Sequence, residues 1–445
     1  MTAVIGIMNK RGIAIAADSA VTMTRKGNQK ISNSANKMLR LSSANPISVM
    51  ITGNAEFLRT PWDIVVRRYR QKRGDISFPT VEACIDDFFA YIVTEPMFLP
   101  EEVANRFFRC QLNDYWDEVD NAVPRVEVDE KDVVTNGEEL LKAFHDRIGA
   151  GIKYYKGYVK MPMFKDYTLE QFKKYADKII DDLFLNKTRD EDDSLPFLDD
   201  EFGAIGSYPK YIMDQIKDEF TECFYYYATN AWSMDSTHLI FSGFGADEEN
   251  PVLVRAIVDG GFDSRVCYHI NEDDIYKISD ENPVAICPFA QDDIMEALLT
   301  GVHGRFCKIF YDKMESKVNY FMMSLPFGVT NHDFEKSQKL QELLSKVKYR
   351  DLVEQDRRYC IKLRNDERLK WTKALNDYDL QAMASLAENM VSLTGFERHL
   401  TFKDEGVGGL VDLAVITKND GFIWLNRKSW YHRKDVGGKY GKFGV

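Results

Sequence analysis

The chain has no cysteine framework. Its seven cysteines (Cys84, Cys110, Cys223, Cys267, Cys287, Cys307, Cys360) are odd in number, scattered and without a CxxC pair, which argues against a disulfide scaffold or a cysteine-built zinc site. The seven histidines are equally dispersed, and neither HExxH nor EF-hand spacing occurs, so no metal and no cofactor is expected. No apolar run approaches the roughly 18 residues that a membrane-spanning helix needs. The N-terminus also lacks the basic region and apolar core of a secretory signal. A cytoplasmic protein without a membrane partner is the expectation. A surplus of basic charge is missing as well: 70 acidic residues against 58 basic ones leave a formal net charge of −12, which argues against a nucleic-acid binder that relies on a field of lysine and arginine. What remains, 445 residues at 44% hydrophobic, is ample for a large core in one large or two modest domains.

The organising stretch is the N-terminus. Two β-branched runs, Thr2 to Met8 and Ile13 to Ala17, are joined by the polar turn Asn9-Lys10-Arg11-Gly12, a hairpin pattern. Domain termini are usually frayed, so a strand that begins at residue 2 implies a terminus tied into a sheet.

An N-terminal nucleophile would gain from that restraint. Met before Thr is normally trimmed during synthesis, which would leave Thr2 with a free α-amine beside its own hydroxyl, nucleophile and base on one residue. The unperturbed α-amine pKa of roughly 7.7 to 8 needs only a modest depression for that amine to accept the hydroxyl proton at neutral pH. Lys37, opening the apolar run Lys37-Met38-Leu39-Arg40-Leu41, is the candidate ammonium, and Asp18, ending the second strand, is a carboxylate to orient it. The run Ile47 to Thr52 ends in Gly53, where a backbone N–H meets a developing oxyanion with no side chain in the way. Taken singly, Asp18-Ser19 reads as a turn starter, Lys37 as a solvated lysine and Gly53 as a turn residue. Their order along the chain is the stronger signal.

That order, Thr2, Gly6, Ala16-Ala17-Asp18-Ser19, Thr22, Asn36-Lys37-Met38-Leu39-Arg40-Leu41 and Ile51-Thr52-Gly53-Asn54-Ala55, resembles the first half of proteasome β-type N-terminal threonine hydrolases, nearest to the bacterial proteasome-like and Anbu group. The resemblance implies Thr2 as nucleophile, Asp18 and Lys37 as its charged pair and the Gly53 N–H as oxyanion donor. Thr22 and Ala55 match backbone-binding positions flanking the substrate. Val21, Ala35, Ile51 and Ala55 match the first specificity pocket; all four are apolar, so cleavage after an apolar residue is expected. The interval from Asp18 to Lys37 is a few residues longer than in the family, which keeps Lys30 as a rival for the lysine role.

The rest of the chain divides around this pattern. Residues 1–94 close with helical runs at Phe57 to Tyr69 and Val81 to Val93, and the basic run Arg67 to Arg73 ends the first. Residues 95–235 are aromatic and helical, with an acidic loop at Asp190 to Asp193, and read as an ordered insertion. Strand patterns return in 236–304, at His238 to Gly245, Val252 to Val258, Ser264 to Ile270 and Val284 to Gln291, the last opening a helix to about Val302. Cys287 stands where the family carries a loop serine that orients the amine, and a thiol is the weaker hydrogen-bonding group; taken alone it is a small buried residue before a helix. Residues 305–376 form a second insertion, charged and helical in its latter part. In 377–428 an amphipathic helix, Leu380 to Val391, leads to Asp404-Glu405-Gly406-Val407-Gly408-Gly409 and two strands. Asp404 matches the family's aspartate near the amine, and Val407 replaces its serine. Residues 429–445 are a basic tail.

The resemblance implies an α+β fold, the four-layer αββα sandwich of Ntn hydrolases, with two helical insertions. It also implies a homo-oligomer, ring or helical, and an unfoldase or other partner protein reached through the insertions. The function expected is a threonine peptidase or amide hydrolase acting on peptide or protein through an acyl-enzyme. The competing class is a non-catalytic assembly or binding protein that kept the sandwich; a non-peptide amidase on the same fold is a third.

Overall fold

The computed structural model describes residues 3–25, 28–32, 36–127, 134–189, 208–231, 237–290, 293–330, 333–345, 349–401 and 409–427. In chain order come β1 (Val4–Asn9), β2 (Gly12–Ala17), β3 (Val21–Arg25), β4 (Asn28–Ser32), β5 (Met38–Arg40), β6 (Ile47–Gly53), the two-residue strands β7 (Glu56–Phe57) and β8 (Thr60–Pro61), and helices α1 (Trp62–Arg73) and α2 (Val81–Thr94). Four long helices follow, α3 (Glu101–Asp120), α4 (Gly137–Lys156), α5 (Leu169–Lys187) and α6 (Lys210–Thr229), with β9 (Thr188–Arg189) and β10 (Tyr208–Pro209) between the last two. The chain returns to strands in β11 (Thr237–Gly243), β12 (Val252–Phe262), β13 (Arg265–His269), β14 (Ile275–Lys277) and β15 (Val284–Phe289). Then come α7 (Asp293–Thr300), α8 (Gly304–Val329), α9 (Phe334–Leu344), α10 (Tyr349–Leu375), α11 (Leu380–Thr401), β16 (Asp412–Thr417) and β17 (Gly421–Asn426).

The fold is mixed α+β, and its two large sheets are antiparallel. One has the order β15-β1-β2-β16-β17, the other β13-β12-β11-β6-β5, with β14 also on β12. The expected hairpin pairs Val4 with Ala17 and Asn9 with Gly12. Every residue of β1 and β2 is buried, because side chains alternate between faces and both faces are covered. Ala3, Ile5, Ile7, Ala14 and Ala16 pack with Met383, Ala387 and Met390 of α11 and Met295 and Leu299 of α7. Val4, Met8, Ile13 and Ile15 face the other way and pack with Met50 of β6, Ile240 of β11 and Leu253 of β12. Across the six-stranded sheet, Val49, Ile51, Phe241 and Val254 meet Trp62 and Tyr69 of α1 and Phe88 and Phe89 of α2. The alanines at 14 and 16 admit α11 close to β2, where a larger side chain would hold it off.

Between α2 and β11 the chain builds a helical lobe with an aromatic core. Tyr115, Trp116, Phe144, Phe172, Phe220 and Phe224 are its centre, and Phe262 of β12 and Cys267 of β13 belong to the same cluster. The Tyr167 hydroxyl donates to Asp263 at 2.6 Å and the Arg265 guanidinium lies 4.1 Å from the Tyr167 ring centroid, so the lobe is pinned to the β12–β13 turn.

Some expectations need correction in detail. The region after residue 304 is helical from its start, since α8 runs through Gly304–Val329 with Pro326 inside it. Helix α7 begins at Asp293, after Ala290 takes a φ of 50°. The Leu380 helix continues to Thr401. The acidic loop, Asp404, Val407 and the tail from 428 lie outside the described residues.

Gly243 ends β11 at φ 153°, and a Cβ there would stand 2.0 Å from the Pro46 carbonyl oxygen. Gly243→Ala is expected to lower unfolding free energy in urea by roughly 2–4 kcal/mol. Gly421→Ala, at φ 77° with open space around it, should cost only about 1–2 kcal/mol. Equal losses would contradict the packing at β11. Burial pushes the Cys84 and Cys223 thiols up to about 12. At pH 8 the reactive thiolate is then on the order of one molecule in ten thousand. Iodoacetamide should alkylate exposed Cys110 in the native protein and reach Cys84 and Cys223 only on unfolding or as pH is raised toward 12, read by peptide mass mapping.

Candidate active site

Where β2 ends, the chain turns through Asp18, and that carboxylate is held from several sides. Its Oδ1 accepts the Ala3 N–H at 2.9 Å and the Lys37 ammonium at 2.6 Å, and its Oδ2 accepts the Ala20 N–H at 3.3 Å. The Asp18 N–H in turn donates to the Ala3 carbonyl at 3.0 Å. Asp18 is therefore bonded in both directions to the residue that follows Thr2.

Lys37 arrives from the other sheet. It stands immediately before β5, and its carbonyl accepts the Ile51 N–H at 2.8 Å, which ties it to β6. The ion pair joins the five-stranded sheet to the six-stranded one at one end of both. The Lys37 and Asp18 side chains are only 5% and 2% exposed, so Lys37 is not the solvated lysine that it reads as in isolation. Two buried charges lose hydration worth several kcal/mol each, and their attraction offsets this only when further hydrogen bonds complete the pair. The Ala3 and Ala20 amides supply those bonds to the carboxylate. Chemically, a fixed ammonium favours the deprotonated form of any acid close to it.

Gly53 closes β6 at φ 79°, a left-handed conformation that glycine takes without strain, and it lies opposite Thr237 in the β6–β11 register. The chain reverses there: the Thr237 hydroxyl donates to the Asn54 carbonyl at 3.2 Å, and the Ala55 carbonyl accepts the Trp62 N–H at 3.1 Å. Ala55 is exposed, whereas Ile51 is buried in the cluster under α1 and α2. Val21 and Thr22 lie on β3, opposite Ser32 and Ile31 of β4, and Lys30 faces Met23 in the same ribbon. Thr2, Ala35 and Asp404 lie outside the described residues. Asp18, Lys37 and the backbone of Ala3 are thus brought together, and Gly53 ends the strand to which Lys37 is tied.

Cys287 is buried, as its reading as a small core residue expects, but its place is not the loop before the helix. It sits within β15 opposite Gly6, in the cluster between the sheets, where burial raises its thiol pKa well above the ordinary value. It is a core residue of a strand and does not occupy the turn that precedes α7.

Two hydroxyls escaped the sequence reading. Ser19 Oγ and Thr52 Oγ1 are buried without a hydrogen-bond partner among the described residues, beside Asp18 and Gly53 in sequence. An unsatisfied buried polar group costs about 1–3 kcal/mol. The available signal was positional, a hydroxyl residue after the carboxylate and another before the glycine. Among the described residues no group of three or more His, Cys, Asp or Glu side chains is placed to hold a metal ion, and no helix is long and apolar enough to cross a membrane.

Removing either partner of the pair strands the other charge, so Lys37→Met and Asp18→Asn should each lower unfolding free energy by about 3–5 kcal/mol. The double variant should lose about 1–3 kcal/mol less than the two together. Urea unfolding of all four proteins checks this; effects that add within roughly 0.5 kcal/mol would show that the pair is not coupled.

Comparison with protein-family models and with curated proteins returns no match to this chain.

Proposed function

We propose that this protein is an N-terminal threonine hydrolase of the proteasome-like type, a peptidase that works through an acyl-enzyme after Met1 is removed. The observation that carries the reading is the buried Lys37–Asp18 pair, bonded through Asp18 to both backbone groups of Ala3. A desolvated ion pair fixed against the residue next to Thr2 is a costly device for stability alone, and it suits a site where an amine must be kept neutral. The core is read as the αββα sandwich of Ntn hydrolases, with α1 and α2 outside one sheet and α7 and α11 outside the other.

In this reading Thr2 Oγ attacks the substrate carbonyl and the Thr2 amine takes the hydroxyl proton. The Lys37 ammonium holds down the pKa of that amine, and Asp18 fixes Lys37. The Gly53 N–H receives the oxyanion. The amine returns the proton to the leaving amine, and water then releases the acyl group from Thr2 Oγ. Asp404 is assigned beside the amine by resemblance. Thr22 and Ala55 bind substrate backbone, and Val21, Ala35, Ile51 and Ala55 line an apolar first pocket. The homo-oligomer and the unfoldase partner belong to the same proposal, with the two insertions as the surfaces for them.

The competing reading is a non-catalytic assembly protein on the same fold. Cys287 weighs less for it than the sequence suggests, because a residue inside β15 is not the counterpart of a loop serine. Intact mass before and after incubation with an epoxyketone or β-lactone separates the two. The expected result is loss of Met1 and one covalent adduct, absent in Thr2→Ala, with Lys37→Ala slowing adduct formation by roughly 10²–10⁴-fold and fluorogenic peptides cleaved after apolar residues. Retained Met1, or a trimmed and folded protein that takes no adduct, would make the assembly reading the better one.

A further inference from the structure

A cleft of about 440 Å³ opens between α1, the end of β5 and strand β17. Among the described residues, β5 and β17 are edge strands of the two large sheets, so the cleft lies along one side of the core. The volume falls within the roughly 300–1,000 Å³ common for small-molecule sites.

Its lining is strongly cationic. Arg40 comes from β5, Arg67 and Arg70 from α1, and Arg427 directly follows β17, while Asp63 is the single carboxylate among the described lining residues. This concentration stands out in a chain of net charge −12. Arg40 donates to the Ser42 carbonyl at 2.9 Å and the Ser43 carbonyl at 3.2 Å, bonds that position its guanidinium without neutralising it. Arg427 lies 4.8 Å from the Trp424 ring centroid, again oriented and still charged. Burial, with the like charges of Arg40 and Arg427, lowers the pKa of the Arg70 guanidinium.

Apart from Asn36, the remaining described lining is apolar. Trp424 and Phe422 meet edge to face, with ring centroids 5.0 Å apart, and Leu39 and Val66 complete that lining. Guanidinium groups match phosphate oxygens bidentately, and an aromatic surface binds a planar ring by stacking. We propose that this cleft binds a nucleoside phosphate, its phosphates on the arginines and its base against Trp424 and Phe422. The site is independent of the assignment of Thr2 as a nucleophile.

The test uses the full chain with ATP, ADP, adenosine and pyrophosphate as probes, followed by calorimetry and tryptophan fluorescence. ATP and ADP should bind and change the fluorescence, and Trp424→Phe should remove that change. Arg67 and Arg427 are exposed, so the double variant Arg67→Gln/Arg427→Gln should fold, shown by an unchanged circular dichroism spectrum, while binding at least roughly tenfold more weakly. Pyrophosphate and adenosine should each bind more weakly than ATP. The proposal is overturned by the absence of heat with ATP or ADP at about 1 mM, by equal affinity in the folded double variant, or by pyrophosphate binding as tightly as ATP, which would reduce the cleft to a general anion site.

Discussion

The buried pair of Lys37 and Asp18 is the constraint on which the N-terminal half of this protein depends. It is electrostatic, almost wholly buried, and formed by residues that flank strands of two different sheets. Because the lone charge of either partner would be costly at that depth, the sheets must meet in one register for the pair to close. The Ala3 and Ala20 amides at Asp18 and the β6 amide at the Lys37 carbonyl translate that requirement into backbone position. The start of β1, the end of β2 and the entry to β5 are held together as one unit.

Packing on the two sides of the five-stranded sheet serves the same end. Small residues of β1 and β2 bring α11 close on one face, and Gly6 leaves room for Leu253 on the other, where a Cβ would stand 2.6 Å from the leucine methyl. Between the sheets, the Ser48 and Ser242 hydroxyls bond to each other at 2.9 Å, a polar contact satisfied within an apolar layer. The Ser19 and Thr52 hydroxyls, buried without a partner among the described residues, contrast with it.

The two helical regions are built differently. The 101–229 helices share a continuous aromatic core with the ends of β12 and β13, so that lobe is an extension of the sheet. The α8 and α10 helices are long, yet α8 buries only Tyr311 and Pro326, and Phe306, Tyr320 and Phe321 are exposed. A region with so little internal core owes less of its stability to its own packing. The arginine cleft lies on another side of the molecule and draws on α1, β5 and β17 together.

Much of this was legible in the residues themselves. The β1–β2 hairpin follows from β-branched runs and a polar turn, and β6 from the apolar run that ends in a glycine; these are short-range effects, readable within a few residues. Helices α2 and α11 were visible through period, although α11 extends past the point where its pattern fades. The partner of Lys37 was legible, since the order of residues along the chain already pointed to Asp18, but the burial of the pair was not, because charge and local propensity do not say which groups the packed sheets will shield from water. The same holds for the strand position of Cys287, which depends on Gly6 across a strand pair, and for the arginine cleft, assembled from residues 40, 63 to 70 and 422 to 427. Sequence alone determined the local elements and the order of the candidate groups. Tertiary structure decided which of those groups lose water and come within hydrogen-bond reach, because desolvation and charge pairing are properties of the assembled sheets and not of any single segment.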